Sequence, residues 1–209
     1  MMYFLKSILR LGNKYGYLNL IKIIIFEILN FKIDKIHEYK IDKPYSKGSE
    51  YYIPSFFFVL WVIKKRINLS KKIFIDIGCG KGRVLRYFLH NTKETIGIEL
   101  NDEYKKYVPD NLINKVFWGD AYDNLFIENI INKYIENELV VYFYHPFEEK
   151  RINEIINKFY LKFDNLIIIL VGNINLDVQN KKNFISIYNN GNLTKIFSSA
   201  KNQKEKSDK

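Results

Sequence analysis

Phe74-Ile75-Asp76-Ile77-Gly78-Cys79-Gly80-Lys81-Gly82-Arg83 runs from an apolar segment into three alternating glycines and then into a helical pattern. Ile73 to Ile77 reads as a buried strand, and Val84, Leu85 and Phe88 follow at helical spacing. Glycine serves where a backbone turns sharply and approaches a ligand with no Cβ in the way. The helix that follows such a loop offers unpaired N–H groups to an anionic part of a ligand.

Outward from this loop the same rhythm repeats. Thr95 to Glu99 and Lys115 to Trp118 read as a second and a third strand. Tyr122, Phe126, Ile130 and Tyr134 step by four along a helix, and Leu139 to Tyr144 is a fourth strand. Ile152, Ile155, Ile156, Phe159 and Phe163 mark one face of a long helix, before a fifth strand from Leu166 to Val171. Strands alternating with helices at this pitch predict an α/β fold, a parallel sheet with helices on both faces. Two further β-like runs, Phe184 to Tyr188 and Leu193 to Phe197, flank Asn189-Asn190-Gly191-Asn192, whose residues tolerate positive φ. They predict a closing antiparallel hairpin.

Ahead of the loop, Pro54-Ser55 opens an apolar run from Phe56 to Ile63 that reads as a buried helix ending at Lys64, Lys65 and Arg66. Cations there complement the helix dipole. Leu18 to Phe31 is apolar but broken by Lys22 and Glu27, too short for the ~20 apolar residues a bilayer span needs. Leu20, Ile24, Ile28 and Phe31 recur at helical spacing, so this is an amphipathic helix whose stripe packs on the main domain, a membrane surface or a second subunit. Residues 35–50, with Pro44, Gly48 and Ser49, read as the connection. The expected organisation is an N-terminal helical extension over 1–44, a main domain over 45–199 and a disordered basic tail over 200–209.

Hydrophobic residues make up 47% of the 209 and charged residues 27%, which excludes a disordered chain. One cysteine excludes a disulfide framework, and three scattered histidines argue against a metal site. The net charge of +10 invites a nucleic-acid reading. An AT-rich coding sequence, which supplies Lys, Ile and Asn, accounts for the same charge without a binding face. Met1 to Leu11 lacks the apolar run and cleavage site of a signal peptide, which leaves the cytoplasm as the default address.

Among ligands bound by glycine loops, spacing discriminates. A Walker loop needs four residues between its first glycine and Gly-Lys, and a dinucleotide fingerprint wants glycine where Arg83 stands. The Asp-x-Gly-x-Gly-x-Gly pattern at Asp76 to Gly82, with Gly97-Ile98-Glu99 and Trp118-Gly119-Asp120-Ala121 at the next two strand ends, resembles the class I S-adenosylmethionine-dependent methyltransferases. Tyr52-Ile53-Pro54-Ser55 and Tyr142-Phe143-Tyr144-His145-Pro146-Phe147 narrow the likeness to small stand-alone bacterial members without an assigned substrate. The likeness covers about residues 45–199 and implies a doubly wound, mostly parallel, seven-stranded Rossmann-like sheet.

It further implies that Asp76 and the backbone of Gly78 and Gly80 hold the methionine moiety of S-adenosyl-L-methionine. Glu99 would take the ribose hydroxyls, Asp120 and Ala121 the adenine, and Tyr52 would close over the cofactor. Gly82 is read as allowing close helix–strand packing, and Cys79 as a small spacer in a setting that can lower a thiol pKa. The acceptor faces the end of the fourth strand, where amine-methylating relatives carry Asn or Asp before proline and this chain carries His145. Histidine there is either a base for a hydroxyl or amine, or a structural residue. The function expected is methyl transfer to a small molecule or a protein amine or hydroxyl. A binding module of the same fold for nucleic acid or a membrane surface is the alternative.

Overall fold

The computed structural model describes residues 12–13, 15–30, 55–144, 148–172, 174–191 and 193–201. Tyr52, His145-Pro146-Phe147, the 35–50 connection, Met1 to Leu11 and the tail from 202 lie outside them.

Helix α1 (Tyr17–Asn30) and helix α2 (Phe57–Arg66) precede strand β1 (Ile73–Ile77). Helix α3 (Arg83–Phe88) leads to β2 (Glu94–Glu99), then a 3-10 turn (Asp102–Tyr107), α4 (Asp110–Ile113) and β3 (Val116–Trp118). The rest is α5 (Asn124–Tyr134), β4 (Leu139–Tyr144), α6 (Glu149–Lys162), β5 (Leu166–Val171), α7 (Val178–Asn183), β6 (Phe184–Asn190) and β7 (Thr194–Ser199). The seven strands form one sheet in the order β3-β2-β1-β4-β5-β7-β6, parallel from β3 to β5. β7 runs antiparallel to β5 and to β6, so the predicted closing hairpin is present. A register shift between Ser186 and Tyr188 interrupts the pairing of the outer strand.

Each strand sends alternate residues to opposite faces. Ile73, Ile75 and Ile77, with Val141 and Phe143, pack against α5 and α6. Phe74, Val140 and Tyr142 pack against α2, α3 and Ile23 of α1. The helical face predicted for α6, from Ile152 to Phe163, is buried throughout. Tyr142 belongs to the core: it is wholly buried and its hydroxyl donates to Ser55 Oγ at 2.8 Å.

Three details depart from the sequence reading. Tyr122 precedes its helix, because Asp123 caps α5 by accepting from the N–H groups of Leu125 and Phe126. The polar run at 178–183 is helical, held by the Asp177 cap on Asn180 and by Asn180 bonding to Asn153. In α1 the buried residues are Leu20 and Ile23, whereas Ile24 and Ile28 of the predicted stripe are exposed. That helix is apolar nearly all round, so periodicity could not choose the face that α2 covers.

Candidate functional site

Strand order reverses at β1, which has β2 on one side and β4 on the other, and ligands of open α/β sheets sit beyond the strand ends at such a point. There β1 passes into the glycine loop. Gly78, Gly80 and Gly82 have φ of 78°, 53° and 78°, values that disfavour any side chain. A Cβ on Gly82 would lie 3.8 Å from its nearest neighbours, so backbone conformation, not the close packing expected, requires glycine there.

The close approach lies instead at Gly97, in register with Asp76 across the β1–β2 pair. A Cβ on Gly97 would stand 2.4 Å from Cys79 Sγ and 2.9 Å from Leu85 Cδ1. The bare strand makes the space in which the loop cysteine lies. Burial pushes the Cys79 thiol well up, and the charges of Asp76 and Glu99 add to it. Cys79 is therefore a protonated spacer, not an activated thiol.

Glu99 ties the loop to the end of β2. Its Oε2 accepts from the Gly80 N–H and its Oε1 from the Asn101 N–H, both at 2.8 Å. Burial raises the Glu99 carboxyl, while the backbone donors on it pull the other way. The Gly78 and Cys79 N–H groups both donate to Ile98 O, and the Gly82 N–H to Cys79 O. With these donors engaged, the loop is no nest for a phosphate. It presents carboxylates instead.

Asp76, 2% exposed, has an Oδ2 that is buried without a hydrogen-bond partner among the described residues. Burial, and then the nearby Glu99 charge, hold its carboxyl well above the usual range. A site built from two buried acids fits a cation with hydroxyls beside it. Asp120 at the end of β3 is exposed, with Oδ1 accepting from the Tyr122 N–H at 2.9 Å, and Ala121 beside it is buried. A cavity of about 670 Å³ opens at Asp120 and continues past Tyr122, Arg151 and Lys158. Lys81 of the loop is buried, its Nζ 4.5 Å from the centre of the Tyr107 ring.

One residue beside the site was not anticipated. Arg83, 3% exposed at the start of α3, donates from Nη1 to Glu27 Oε2 of α1 and to Ser55 O, both at 2.9 Å, and lies over the Phe57 ring. Glu27 also accepts the Phe57 N–H through Oε1. The N-terminal helix is thus pinned to the residue that follows the glycine loop. The signal available in the sequence was Glu27 itself, a lone acid in an apolar helix.

The strand order, the position of the loop and the two acids at adjacent strand ends are now fixed. The fold is the one the methyltransferase resemblance implies. No protein-family model and no curated protein matches the chain. Among solved structures, an RNA methyltransferase from Salinibacter ruber in complex with S-adenosyl-L-homocysteine is 15% identical at a TM-score of 0.45, over 68% of this chain and 89% of its own. An S-adenosyl-L-methionine methyl transfer enzyme from Silicibacter pomeroyi is 10% identical at a TM-score of 0.46, over 69% and 96%. M. capricolum TrmK, in complex with S-adenosyl-homocysteine, is 20% identical at a TM-score of 0.41, over 68% and 67%. The architecture of this chain rests on its own strand order.

Proposed function

We propose that this chain is an S-adenosyl-L-methionine-dependent methyltransferase acting on a small molecule or on a protein amine or hydroxyl. The observation that carries the reading is the pair of buried acids at the glycine loop, with Asp76 Oδ2 lacking a partner among the described residues. An ammonium group bound beside these acids favours their ionised form, whereas a phosphate would oppose it.

When bound, S-adenosylmethionine supplies a methyl group on a positively charged sulfur, ready for in-line displacement. Asp76, with the carbonyl oxygens of Gly78 and Gly80, would accept from the ammonium of the methionine moiety. Glu99 spends one acceptor site of each oxygen on backbone and, a carboxylate having about four such sites, keeps capacity for ribose hydroxyls. Asp120 retains an oxygen for the adenine amino group, with Ala121 beneath. Tyr52 would close the site, and His145 would take a proton from the acceptor near neutral pH. Aligning the reactants and excluding water contribute several kcal/mol even without a base.

Thermal-shift titration with S-adenosylmethionine and S-adenosylhomocysteine, with NAD as the negative control, tests this. At one hundred times the dissociation constant, a ligand adds about 2.7 kcal/mol, or roughly 5–10 °C for a domain of this size. A shift of that order that disappears in Asp76→Ala supports the reading, and no shift in a folded protein overturns it. The +10 charge, the amphipathic N-terminal helix and the histidine at position 145 support the alternative, a binding module for nucleic acid or a membrane surface. RNA retention that falls steeply with salt, without cofactor binding, would favour it.

A further inference from the structure

Helix α1 has two faces, and only one is accounted for. Leu20 and Ile23 are buried, and Glu27 meets Arg83 and the start of α2. On the other side Leu18, Ile21, Ile25 and Ile28 are 77%, 55%, 48% and 69% exposed, flanked by Tyr17 at 53% and Leu29 at 70%. Among the described residues nothing covers them. We propose that this face is a self-association surface, on which a second copy of the chain seats its own α1.

The spacing points to a helix as the occupant. Leu18, Ile21, Ile25 and Ile28 advance by three, four and three residues, the a and d positions of a seam between helices. The extent points to a stable contact. The largest apolar patch on an ordinary monomer is about 300–600 Å². Six large apolar side chains, each about half exposed or more, approach the ~800 Å² per partner that a standard interface buries.

The charge points to a second copy rather than a lipid surface. Helices that lie on membranes carry Lys and Arg along the polar face. The only charged residues of α1 are Lys22 and Glu27; Lys22 Nζ lies 5.7 Å from the centre of the Phe58 ring, and Glu27 is bound to Arg83. At 14 residues α1 is about 21 Å long, short of a ~30 Å hydrocarbon core. An uncharged apolar centre is what homodimer interfaces show. Because both copies offer the same patch, the contact closes at two and leaves no free face.

Sedimentation equilibrium of the full chain at micromolar concentration tests this. The expected mass is twice the 25.1 kDa of one chain, and it falls to one chain in the double variant Ile21→Glu, Ile28→Glu, with the far-ultraviolet circular dichroism unchanged. A second measurement does not depend on that variant folding. Cys79 is buried, so an Ile25→Cys chain has one accessible thiol, near the middle of the helix. It is expected to form a disulfide-linked dimer on mild oxidation, whereas Leu125→Cys, at a position more exposed (75%) but on a helix of the opposite side of the sheet, is not. A monomeric wild type overturns the proposal, as does a dimer that survives the double variant. A monomer that pellets with phosphatidylserine vesicles also overturns it and gives the face to lipid.

Discussion

Glu99 and Gly80 lie 19 residues apart and are joined by a 2.8 Å hydrogen bond, the side-chain carboxylate accepting the loop N–H. The second bond of the same carboxylate, to the Asn101 N–H, anchors the turn that follows β2. The proposed ribose acid is therefore also the brace of the glycine loop. Glu99→Ala strands two backbone donors and is expected to cost about 1–3 kcal/mol in stability, read as a shifted urea midpoint. It is also expected to abolish S-adenosylmethionine binding by calorimetry. Glu99→Gln, which keeps one accepting oxygen, should fall between.

The pH dependence of Asp76 has a definite sign. Its carboxyl is raised by burial in the folded chain, so the fold holds this proton more tightly than the unfolded chain does. The contribution is fully present below the unfolded carboxylate value of about 4 and is lost as pH rises through the raised folded value. Asp76→Asn, which does not titrate, should show a flatter melting temperature in that window and a more stable free protein at its upper end. A bound ammonium favours the ionised form, so binding should release a proton from wild type and not from Asp76→Asn. Calorimetry in buffers of different ionisation enthalpy reads that difference directly.

Gly97→Ala places a methyl 2.4 Å from Cys79 Sγ. Overpacking of this kind costs about 1–3 kcal/mol, and the loop must shift to relieve it. Expected is a lower melting temperature with weakened cofactor binding, partly restored by adding Cys79→Ala. Leu85 remains in the way, so restoration should be incomplete.

Glu27→Ala removes the Glu27 carboxylate from the buried Arg83 guanidinium. Removing one partner of a buried pair costs about 3–5 kcal/mol, and the partial exposure of Glu27, 26%, sets this pair at the lower end. Arg83→Met combined with Glu27→Leu should cost less than the two single changes summed, since both members of the pair are then removed together. Chemical denaturation of the four proteins of that cycle checks it.

The buried thiol offers a simpler check. With its pKa raised by burial, Cys79 should resist a thiol reagent at neutral pH and react promptly once denaturant opens the fold.

What the sequence carried, and what it did not, divides along physical lines. β4 and β5 match the runs Leu139 to Tyr144 and Leu166 to Val171 because a strand buried on both faces is written as uninterrupted apolar residues. The loop could be read because three glycines at alternate positions have few other uses. Glu27 with Arg83 could not, since a pair 56 residues apart leaves no local pattern. Nor could Gly97, whose meaning lies in the sulfur opposite it. The turn at 102–107 and the helix at 178–183 are polar and held by caps, Asn101 on the Glu103 N–H and Asp177 on the Asn180 N–H, rather than by an apolar face.

The register shift in β6 has a consequence for the chain in a crowded solution. An outer strand with a straight row of open backbone groups invites a stranger's strand to add to it, the first step toward aggregates. The shift between Ser186 and Tyr188 interrupts that row at mid-length. At the opposite border β3 is only three residues long and offers little to copy. The sheet is bounded on both sides, so copies of this chain are steered away from fibrillar stacking.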